Sequence, residues 1–540
     1  MTRLIMASSL PILLMLLFLT GCGVAETQGV LPNDNCSAPP SATKKAAAWD
    51  GWGADAGNTR FQDARTAGLT RQSVPRLKLK WAFGFPGATE ASTQPTVFGG
   101  RIFVGSRDGT VYSLDARTGC MYWMYKATAR VRTPVVIDNR SPVAYFGDMQ
   151  GYMYAVNADT GALKWKTRVD QHPYAAIAGA PKLEADRLYV PVSGGNEEAA
   201  AAIPSFVCCT FRGGILALDA ENGKQIWKTY TIPDAATVTG RNAAGRQIFG
   251  PSGAGVWSSP TMDLQRRAIY VGTGVNYTDP PTQNSDAVLA FDMDSGRLLW
   301  RIQFTANDRF NYACFAVAAS QQNLGNCLGN PGPNAGIGAS PILRSLGGGR
   351  RVLIVGAKSG MVHALDPDRE GRVVWEMRIG SGRGIMGGIM WGGASDDRGF
   401  AYFSVSDWDV ARPDAGGGLI ALRIATGEKV WFTPAPKPSC LGVVGCSRAQ
   451  PGPATAIPDV VFVGSLDGHL RAHDTANGSV IWDFDTVQEF RTVNGVQAHG
   501  GSINRSGPTV AGGMLYSSSG YSQMPVLPGN VLLAFSVDGR

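Results

Sequence analysis

The chain has 540 residues, 44% of them hydrophobic and 17% charged, which allows a large core and argues against disorder. The formal net charge of +7 is mild for this length, and no cluster of Lys and Arg is interleaved with aromatic residues, which argues against nucleic-acid binding. Glycine is abundant (69 residues) and helical periodicity is weak, so we predict many short strands joined by turns.

The N-terminus has the pattern of an export signal. Arg3 precedes a run rich in Leu, Ile, Met and Phe, which ends at Leu19-Thr20-Gly21-Cys22. This ending is similar to a bacterial lipoprotein signal, in which Cys22 would be lipidated; the alternative is an ordinary signal peptide with an incidental cysteine. We therefore predict a signal peptide over 1–21, a lipidated tether over 22–48 and a folded region over 49–540, in the periplasm and anchored at Cys22. No later segment is long and apolar enough to span a bilayer.

A short unit that ends in tryptophan recurs through the folded region. Its copies lie at 113–123, 155–165, 217–227, 290–300, 364–375, 421–431 and 472–482. Counted from Trp81, the tryptophans are 42 to 75 residues apart. The shortest spacing is typical of a four-stranded propeller blade of ~40–45 residues, and the longer ones indicate loop insertions.

The last copy of the unit is incomplete. Residues 534–539 begin an eighth unit but lack its tryptophan, which Trp81 near the start of the folded region can supply. A repeat that begins at one terminus and is completed at the other predicts a closed ring with no free sheet edge. The predicted fold is all-β, an eight-bladed propeller.

Each unit also predicts a local turn. Asp115 can accept bonds from the turn backbone, and Gly119 can adopt a positive φ, so residues 115–119 turn the chain into an outer strand that ends at Trp123. A large ring at a fixed outer-strand position suits the wedge between neighbouring blades.

The cysteines fit an exported protein. Without Cys22 eight remain, an even number, as disulfides would require, although parity is weak support. The local candidate pairs are Cys208–Cys209, Cys314–Cys327 and Cys440–Cys446, which leaves Cys36 and Cys120 as a long-range pair.

Four polar regions are not explained by a scaffold of repeats. They lie at predicted strand ends or turns and could converge on one mouth of the channel: 193–198, 208–214, 255–257 with 272–277, and 305–312 with Lys358 in the next blade.

The repeats and these regions resemble the quinoprotein dehydrogenases, and within them the polyvinyl-alcohol dehydrogenases. The resembling segments are 51–62, 189–193, 208–213, 494–496 and 500–503, and the likeness covers essentially everything after the tether. The tryptophan repeats are shared by non-enzymatic propellers, whereas Cys-Cys-Thr-Phe-Arg-Gly at 208–213 is much more specific. The resemblance implies pyrroloquinoline quinone (PQQ) and Ca²⁺ in the channel mouth.

Matched position by position, the resemblance implies roles for single residues. Glu197 matches the family's metal-binding glutamate, and Asn276 lies one residue away from its metal-binding asparagine. Trp257 matches the tryptophan beneath the quinone, and Lys358 matches the cation that hydrogen-bonds the quinone oxygens. The alternatives are a solvated loop acid, a turn asparagine, ordinary blade packing and a hairpin-tip lysine.

The same specific segment implies further cofactor contacts. Cys208 and Cys209 form a vicinal pair such as relatives place beside the quinone, and Arg212 follows them in the motif. The pair falls in a different blade from that of the methanol enzymes, so its contact with the cofactor is an inference.

The sequence departs from the family at its general base. The family's second Asp of Thr-Pro-x-Asp-x-Trp-Asp-Tyr corresponds to Asn311, and an amide cannot accept the substrate's proton. Either Asp308 has taken over, or activity is reduced or altered. Ala313 replaces the extra Asp of lanthanide-dependent relatives, so Ca²⁺ is the predicted ion. No Cys-x-x-Cys-His haem motif is present, which predicts a separate electron acceptor such as a cytochrome c.

These observations predict a PQQ-dependent dehydrogenase that oxidises a secondary alcohol or a polyvinyl-alcohol-like polymer. The first alternative is a non-catalytic propeller lipoprotein acting as an envelope assembly scaffold, which explains the anchor and repeats but not the matches at Glu197, Trp257 and Lys358. The second is a propeller that binds a polysaccharide or a protein.

Overall fold

The structure, a computed structural model, describes residue 36 and residues 48–315, 325–382, 386–409, 412 and 414–540. Over these residues the chain forms eight four-stranded antiparallel sheets, which confirms the eight-bladed propeller. In seven sheets the strands pair in sequence order, as in a blade built from consecutive hairpins.

The blades follow one another along the chain. In order they contain Thr96–Phe98, Arg101–Gly105, Thr110–Asp115 and Met121–Lys126; Val136–Asp138, Val143–Gly147, Tyr152–Asn157 and Leu163–Arg168; Lys182–Glu184, Arg187–Val192, Gly214–Asp219 and Gln225–Tyr230; Thr261–Asp263, Ala268–Gly272, Ala287–Asp292 and Leu298–Gln303; Ile342–Ser345, Arg351–Gly356, Met361–Asp366 and Arg372–Arg378; Gly393–Ser395, Phe400–Val405, Gly418–Arg423 and Lys429–Pro434; Thr455–Ile457, Val460–Gly464, His469–Asp474 and Val480–Asp485; and Thr509–Ala511, Met514–Ser519, Val531–Val537 and Leu77–Gly84.

The remaining elements lie outside the blade strands. They are the strand pairs Thr237–Arg241 with Gln247–Gly250, Ser252–Gly253 with Asn276–Thr278 and Glu489–Phe490 with Ala498–His499, the helices Ala64–Ala67 and Gly195–Ala200, and the 3₁₀ turns Val74–Arg76, Gly347–Gly349 and Pro367–Arg369.

The ring closes between the two ends of the folded region. Leu77–Gly84 pairs antiparallel with Val531–Val537 and becomes the outer strand of the eighth blade, with Trp81 opposite Ala534. This is the completion that the unfinished eighth repeat predicts. The closing strands bury their apolar residues, so closure is held by packing as well as by backbone bonds.

The repeated tryptophans join neighbouring blades. The indole Nε1 of Trp123 donates to Ala158 O at 2.9 Å, and that of Trp482 donates across the closure to Leu77 O at 3.0 Å. In the turn of the first blade, Asp115 Oδ1 accepts from Arg117 N and Thr118 N. The wedge role and the turn are thus confirmed, and one side chain in each repeat fixes both burial and blade spacing.

Four disulfides connect the eight cysteines other than Cys22. They are Cys36–Cys120, Cys208–Cys209, Cys314–Cys327 and Cys440–Cys446, the pairing expected from the sequence. Cys22, the predicted lipidation site, lies outside the described residues. The part of the chain that the structure covers contains no helix with the length and apolarity needed to cross a bilayer.

Candidate active site

Segments from six blades line one cavity, which places it near the axis of the ring. Its volume is about 140 Å³. Most of the lining comes from segments that lead into first strands or follow second strands of blades. The lining residues are Arg132, Ser193, Gly195, Glu198, Gly255, Trp257, Gly274, Val275, Tyr277, Tyr312, Phe315, Asn334, Gly336, Lys358, Met386, Met390, Trp391, Asn504, Arg505, Tyr521 and Met524.

Trp257 forms a flat wall of this cavity. A Cβ at Gly338 would lie 1.6 Å from Trp257 Cη2, so the indole can occupy this position only because residue 338 is glycine. The ring of Trp391 meets Trp257 edge-on, with centroids 4.9 Å apart and an interplanar angle of 84°. Trp257 is therefore held in place by its neighbours, with one region of its surface left to the cavity.

Lys358 is the buried cation of the cavity. Its Nζ donates to Asn334 Oδ1 at 2.7 Å. Burial lowers the pKa of Lys358 to about 8, although the charge of Glu198 opposes this shift. The structure thus brings two predicted residues, Trp257 and Lys358, to one cavity.

The two adjacent glutamates on the helix Gly195–Ala200 point in different directions. Glu197 is buried, and its carboxylate accepts from Thr210 N at 2.9 Å and from Phe211 N at 2.8 Å. Glu198 lines the cavity instead, and burial raises its pKa to about 7 against the lowering effect of Lys358. Among the described residues, Glu198 is the one carboxylate that lines the cavity.

Asn276, the other predicted metal ligand, is engaged by its own loop. Its Oδ1 accepts from Thr282 N at 2.8 Å, and its Nδ2 donates to Ser252 O at 3.2 Å. Asn276 is fully buried and is not among the residues that line the cavity. Over the described residues, no three His, Cys, Asp or Glu side chains are grouped as a cation site.

Asn311, at the family's base position, is walled off from the cavity. Its Nδ2 donates to Tyr277 O and Asn326 O, both at 3.0 Å, and its Oδ1 accepts from Ala313 N. Every polar atom of this buried amide therefore has a partner within the fold. Asn311 serves here to tie together backbone segments.

Asp308 lies one layer behind the cavity. Its carboxylate accepts from Asn334 N at 3.1 Å and from Ala335 N at 2.6 Å, and so holds the segment whose Asn334 side chain binds Lys358. The neighbouring Asp286 is fully buried, and burial together with the Asp308 charge raises the pKa of Asp286 well above its usual value.

The other predicted cofactor contacts do not reach the cavity wall. Cys208 and Cys209 are fully buried in the core that includes Phe211 and Tyr277. Arg212 donates to Pro233 O at 2.7 Å, and its guanidinium lies 4.0 Å from the ring centroid of Tyr230. The disulfide thus lies within the core, and neither cysteine lines the cavity.

Several residues of the cavity are not predicted by any pattern in the sequence. Glu198 differs from Glu197 only in its direction on a short helix, which no sequence pattern distinguishes. Arg132 and Arg505 lie in segments that enter the second and eighth blades, outside every region singled out. The one available signal was the alternation of Arg130 and Arg132, which places two cations on one side of an extended segment.

Family models and curated relatives both match this chain. Two family models match the chain: "Outer membrane protein assembly factor BamB" over residues 69–251 and 415–540, and "Glucose/ethanol/alcohol dehydrogenase, beta-propeller domain" over residues 201–319. A polyvinylalcohol dehydrogenase from a Pseudomonas species is 41% identical over 95% of this chain and 80% of its own length. One from a Sphingopyxis strain is 42% identical over 94% and 79%.

A solved structure shares the fold at low identity. The quinohemoprotein alcohol dehydrogenase ADHIIG from Pseudomonas putida superposes with a TM-score of 0.69 at 18% identity, covering 92% of this chain and 81% of that one. At such identity the likeness concerns the fold alone. Given the extent and identity of the sequence matches, the chain belongs to the quinoprotein dehydrogenase family, in its polyvinylalcohol dehydrogenase group.

Proposed function

We propose that this protein is a PQQ-dependent alcohol dehydrogenase acting on a secondary alcohol or a polyvinyl-alcohol-like polymer. The observation that carries the proposal is the meeting of Trp257 and Lys358, from different blades, in one cavity with the carboxylate of Glu198. The relatives named for polyvinyl alcohol support the substrate class.

The residues present suit a flat, anionic quinone. Trp257 offers a flat ring, and the ring can occupy its position because residue 338 has no side chain. Lys358 supplies a cation, and Arg505 leaves Nε and Nη1 buried without a hydrogen-bond partner among the described residues. A planar ring with carboxylates and carbonyls matches these three features.

The chain's own groups can bind and orient an alcohol for oxidation. When bound, the quinone supplies the two-electron acceptor for the hydride that leaves the alcohol carbon. Lys358 would donate a hydrogen bond to the bound quinone and would stabilise negative charge on its oxygens. Tyr277, Tyr312 and Met390 line the same cavity, and their apolar surfaces exclude water from it.

The hydroxyl proton goes to Glu198 in this proposal. A base must reach the substrate, and Glu198 lines the cavity whereas Asp308 is held behind Asn334 by two backbone N–H groups. Asp308 then acts on Lys358 through Asn334. Loss of this proton together with the hydride converts the secondary alcohol to a ketone.

Ca²⁺ remains a prediction, and no step is assigned to it. The side-chain oxygens of Glu197 and Asn276 accept bonds from their own loops, so the donor set expected from the family is not assembled in this structure. Treating the PQQ-loaded protein with EGTA tests the prediction. Activity should fall and return with Ca²⁺ but not with Mg²⁺, because the smaller ion demands stricter geometry.

Reconstitution tests the function as a whole. The purified protein, loaded with PQQ and Ca²⁺, should reduce a dye acceptor with secondary alcohols and with polyvinyl alcohol oligomers as donors. The apoprotein should show no turnover under the same conditions. Binding of PQQ without turnover of any alcohol would contradict the proposal.

An assembly scaffold is the second candidate, favoured by the match to the BamB model. That match spans 69–251 and 415–540 and so omits the segment with Trp257, Lys358 and Trp391. The omitted segment carries much of the cavity, which a scaffold does not require. Absence of PQQ binding in equilibrium dialysis would favour the scaffold.

The remaining proposals concern the cell. We place the protein in the bacterial cell envelope, anchored at Cys22, with a separate cytochrome c or similar protein as one-electron acceptor. The lipoprotein-like ending at Cys22 supports the anchor. Mass spectrometry of the mature N-terminus tests the anchor, since an acylated Cys22 would carry the mass of its lipid chains.

A further inference from the structure

The most exposed large apolar side chain among the described residues lies on a small closed loop, residues 440–446. Val444 is 88% exposed, Val443 56% and Leu441 41%. The disulfide Cys440–Cys446 closes the loop, and Val443 N donates to Cys440 O at 3.0 Å. Since the loop is short and joined at its base, it holds these side chains outside the core. Exposed apolar side chains that lie together mark an interaction site more often than single ones do.

The 440–446 loop is packed against the wall of the cavity. A Cβ at Gly445 would lie 2.6 Å from Val526 Cα, so the loop backbone can come this close only because residue 445 is glycine. Val526 N donates to Met524 O at 2.7 Å, and Met524 lines the cavity. Val526 also shares a buried apolar cluster with Trp391, another lining residue. The exposed valines thus lie on a loop that is fixed beside the cavity.

The topology places this loop at the same end of the ring as the cavity lining. Residues 435–454 connect the outer strand of the sixth blade, Lys429–Pro434, to the first strand of the seventh, Thr455–Ile457. Strands alternate in direction within a blade, so such a connection emerges at the same end as the segments that follow second strands. Segments of these two kinds supply most of the cavity lining.

The proposed polymer substrate is too long for the cavity. Its volume of about 140 Å³ is smaller than the roughly 300–1,000 Å³ of pockets that enclose a drug-sized molecule. While one carbinol group is inside, the rest of the chain must therefore lie on the surface around the cavity. A polyvinyl alcohol chain alternates methylene and carbinol groups, so the surface that binds it must offer both apolar contact and hydrogen bonds.

A hydroxyl group lies at the base of the 440–446 loop. Ser439 is exposed, and its Oγ lies 3.0 Å from His469 Nε2. His469 Nδ1 in turn lies 2.6 Å from Asp483 Oδ1, which fixes the direction of the ring. The Ser439 oxygen has two lone pairs and can therefore also accept a hydrogen bond from a second hydroxyl group. Apolar side chains and an oriented hydroxyl thus occur side by side.

We propose that the 440–446 loop, together with Ser439, is a docking site for a polymeric alcohol and holds the chain while one of its carbinol groups enters the cavity. The two valines contact methylene groups of the chain, and Ser439 accepts a hydrogen bond from one of its hydroxyl groups. This inference rests on the proposed function and selects, within it, a long chain of secondary alcohols as the substrate. A short alcohol does not extend beyond the cavity and gains nothing from the loop.

Kinetics of the full chain loaded with PQQ and Ca²⁺ test the docking site. In the double variant Val443→Ser/Val444→Ser, KM for polyvinyl alcohol should rise about 5- to 30-fold, the loss expected when four partly covered methyl groups are removed. Both kcat and KM for 2-butanol should stay at their wild-type values. Val374→Ser is the matched control, because Val374 is 53% exposed on the outer strand of the fifth blade, and it should leave the kinetics of both substrates unchanged.

Affinity electrophoresis of the full chain through gels that contain polyvinyl alcohol measures docking without turnover. The polymer should retard the wild type and Val374→Ser, whereas the double variant should migrate as it does without polymer. Equal retardation of all three proteins would overturn the docking site. An equal loss of activity toward 2-butanol and toward the polymer in the double variant would also overturn it.

The two readouts separate the docking site from the proposed function. Retardation by the polymer without turnover of any alcohol would support docking and contradict the dehydrogenase. Turnover of 2-butanol by a wild type that the polymer does not retard would support the dehydrogenase and overturn docking. A lipid surface is the other possible occupant of the loop. Sedimentation of the wild type, but not of the double variant, with phosphatidylethanolamine and phosphatidylglycerol vesicles, at an unchanged KM for the polymer, would assign the loop to lipid and overturn the proposal.

Discussion

Replacing Glu198 with glutamine is expected to lower kcat/KM for alcohol oxidation by about 10²- to 10⁴-fold, the usual contribution of a positioned base. Glu198 is the one carboxylate that lines the cavity among the described residues, and the amide keeps its size but cannot accept the hydroxyl proton. The loss should appear in kcat at saturating PQQ and Ca²⁺. Steady-state kinetics with a secondary alcohol and a dye acceptor measure it, with dialysis to confirm that PQQ is still bound.

Three further variants test whether the loss is specific to Glu198. Glu221→Gln, an exposed turn residue in the third blade, should retain wild-type kinetics. Asp308→Asn should cost less than Glu198→Gln, because Asp308 acts on Lys358 only through Asn334. Glu197→Gln should lower stability, since its carboxylate accepts two backbone N–H groups. A larger loss in Asp308→Asn, or recovery of Glu198→Gln at high Ca²⁺, would contradict the base role.

The fold was predictable because each blade encodes itself locally. Asp115, Gly119 and Trp123 set a turn, a positive φ and an interblade wedge within nine residues, and the same spacing recurs around the ring. The closure of the ring was predictable because the incomplete repeat at 534–539 lacks a tryptophan, which Trp81 supplies. Local signals of this kind can be recognised in the sequence without knowledge of the tertiary structure.

The site was only partly predictable, because its residues come from insertions between the repeats. Trp257 and Lys358 were identified through family resemblance and do line the cavity. The choice between Glu197 and Glu198 depends on the direction of two neighbouring side chains, and Arg132 and Arg505 meet only through packing of distant blades. Such features depend on loop conformation, which repeat periodicity does not encode.

The departure at Asn311 has a structural explanation. Its amide donates to two carbonyls and accepts one N–H, whereas a carboxylate at this position could only accept and would leave Tyr277 O and Asn326 O without their donor. Asn311, which the sequence resemblance matches to the family's general base, is therefore integrated into the loop framework. This is consistent with the proposal that Glu198, rather than residue 311, accepts the hydroxyl proton.

Arg60 joins the N-terminal segment to the last two blades. It is 1% exposed, and its guanidinium donates to Ala454 O, Trp52 O and Gln94 Oε1 at 2.6 to 2.7 Å. Two further bonds reach Thr455 Oγ1 and Pro508 O. Among the described residues no carboxylate pairs with Arg60, and burial lowers the pKa of Arg60 to about 9. Its contribution thus comes from satisfying five buried acceptors at once.

Arg60→Ala is expected to lower the free energy of unfolding by roughly 3–5 kcal/mol, the range for leaving buried polar groups without their partner. The backbone at residue 60 has a φ of +50°, and alanine keeps the Cβ, so the substitution tests the guanidinium rather than backbone strain. Arg65→Ala, exposed on the helix that follows, is the matched control and should change the free energy by less than about 0.5 kcal/mol. Chemical denaturation followed by tryptophan fluorescence measures both. Equal stability of the two variants would show that ordered water can replace the guanidinium, and the five-acceptor argument would then be wrong.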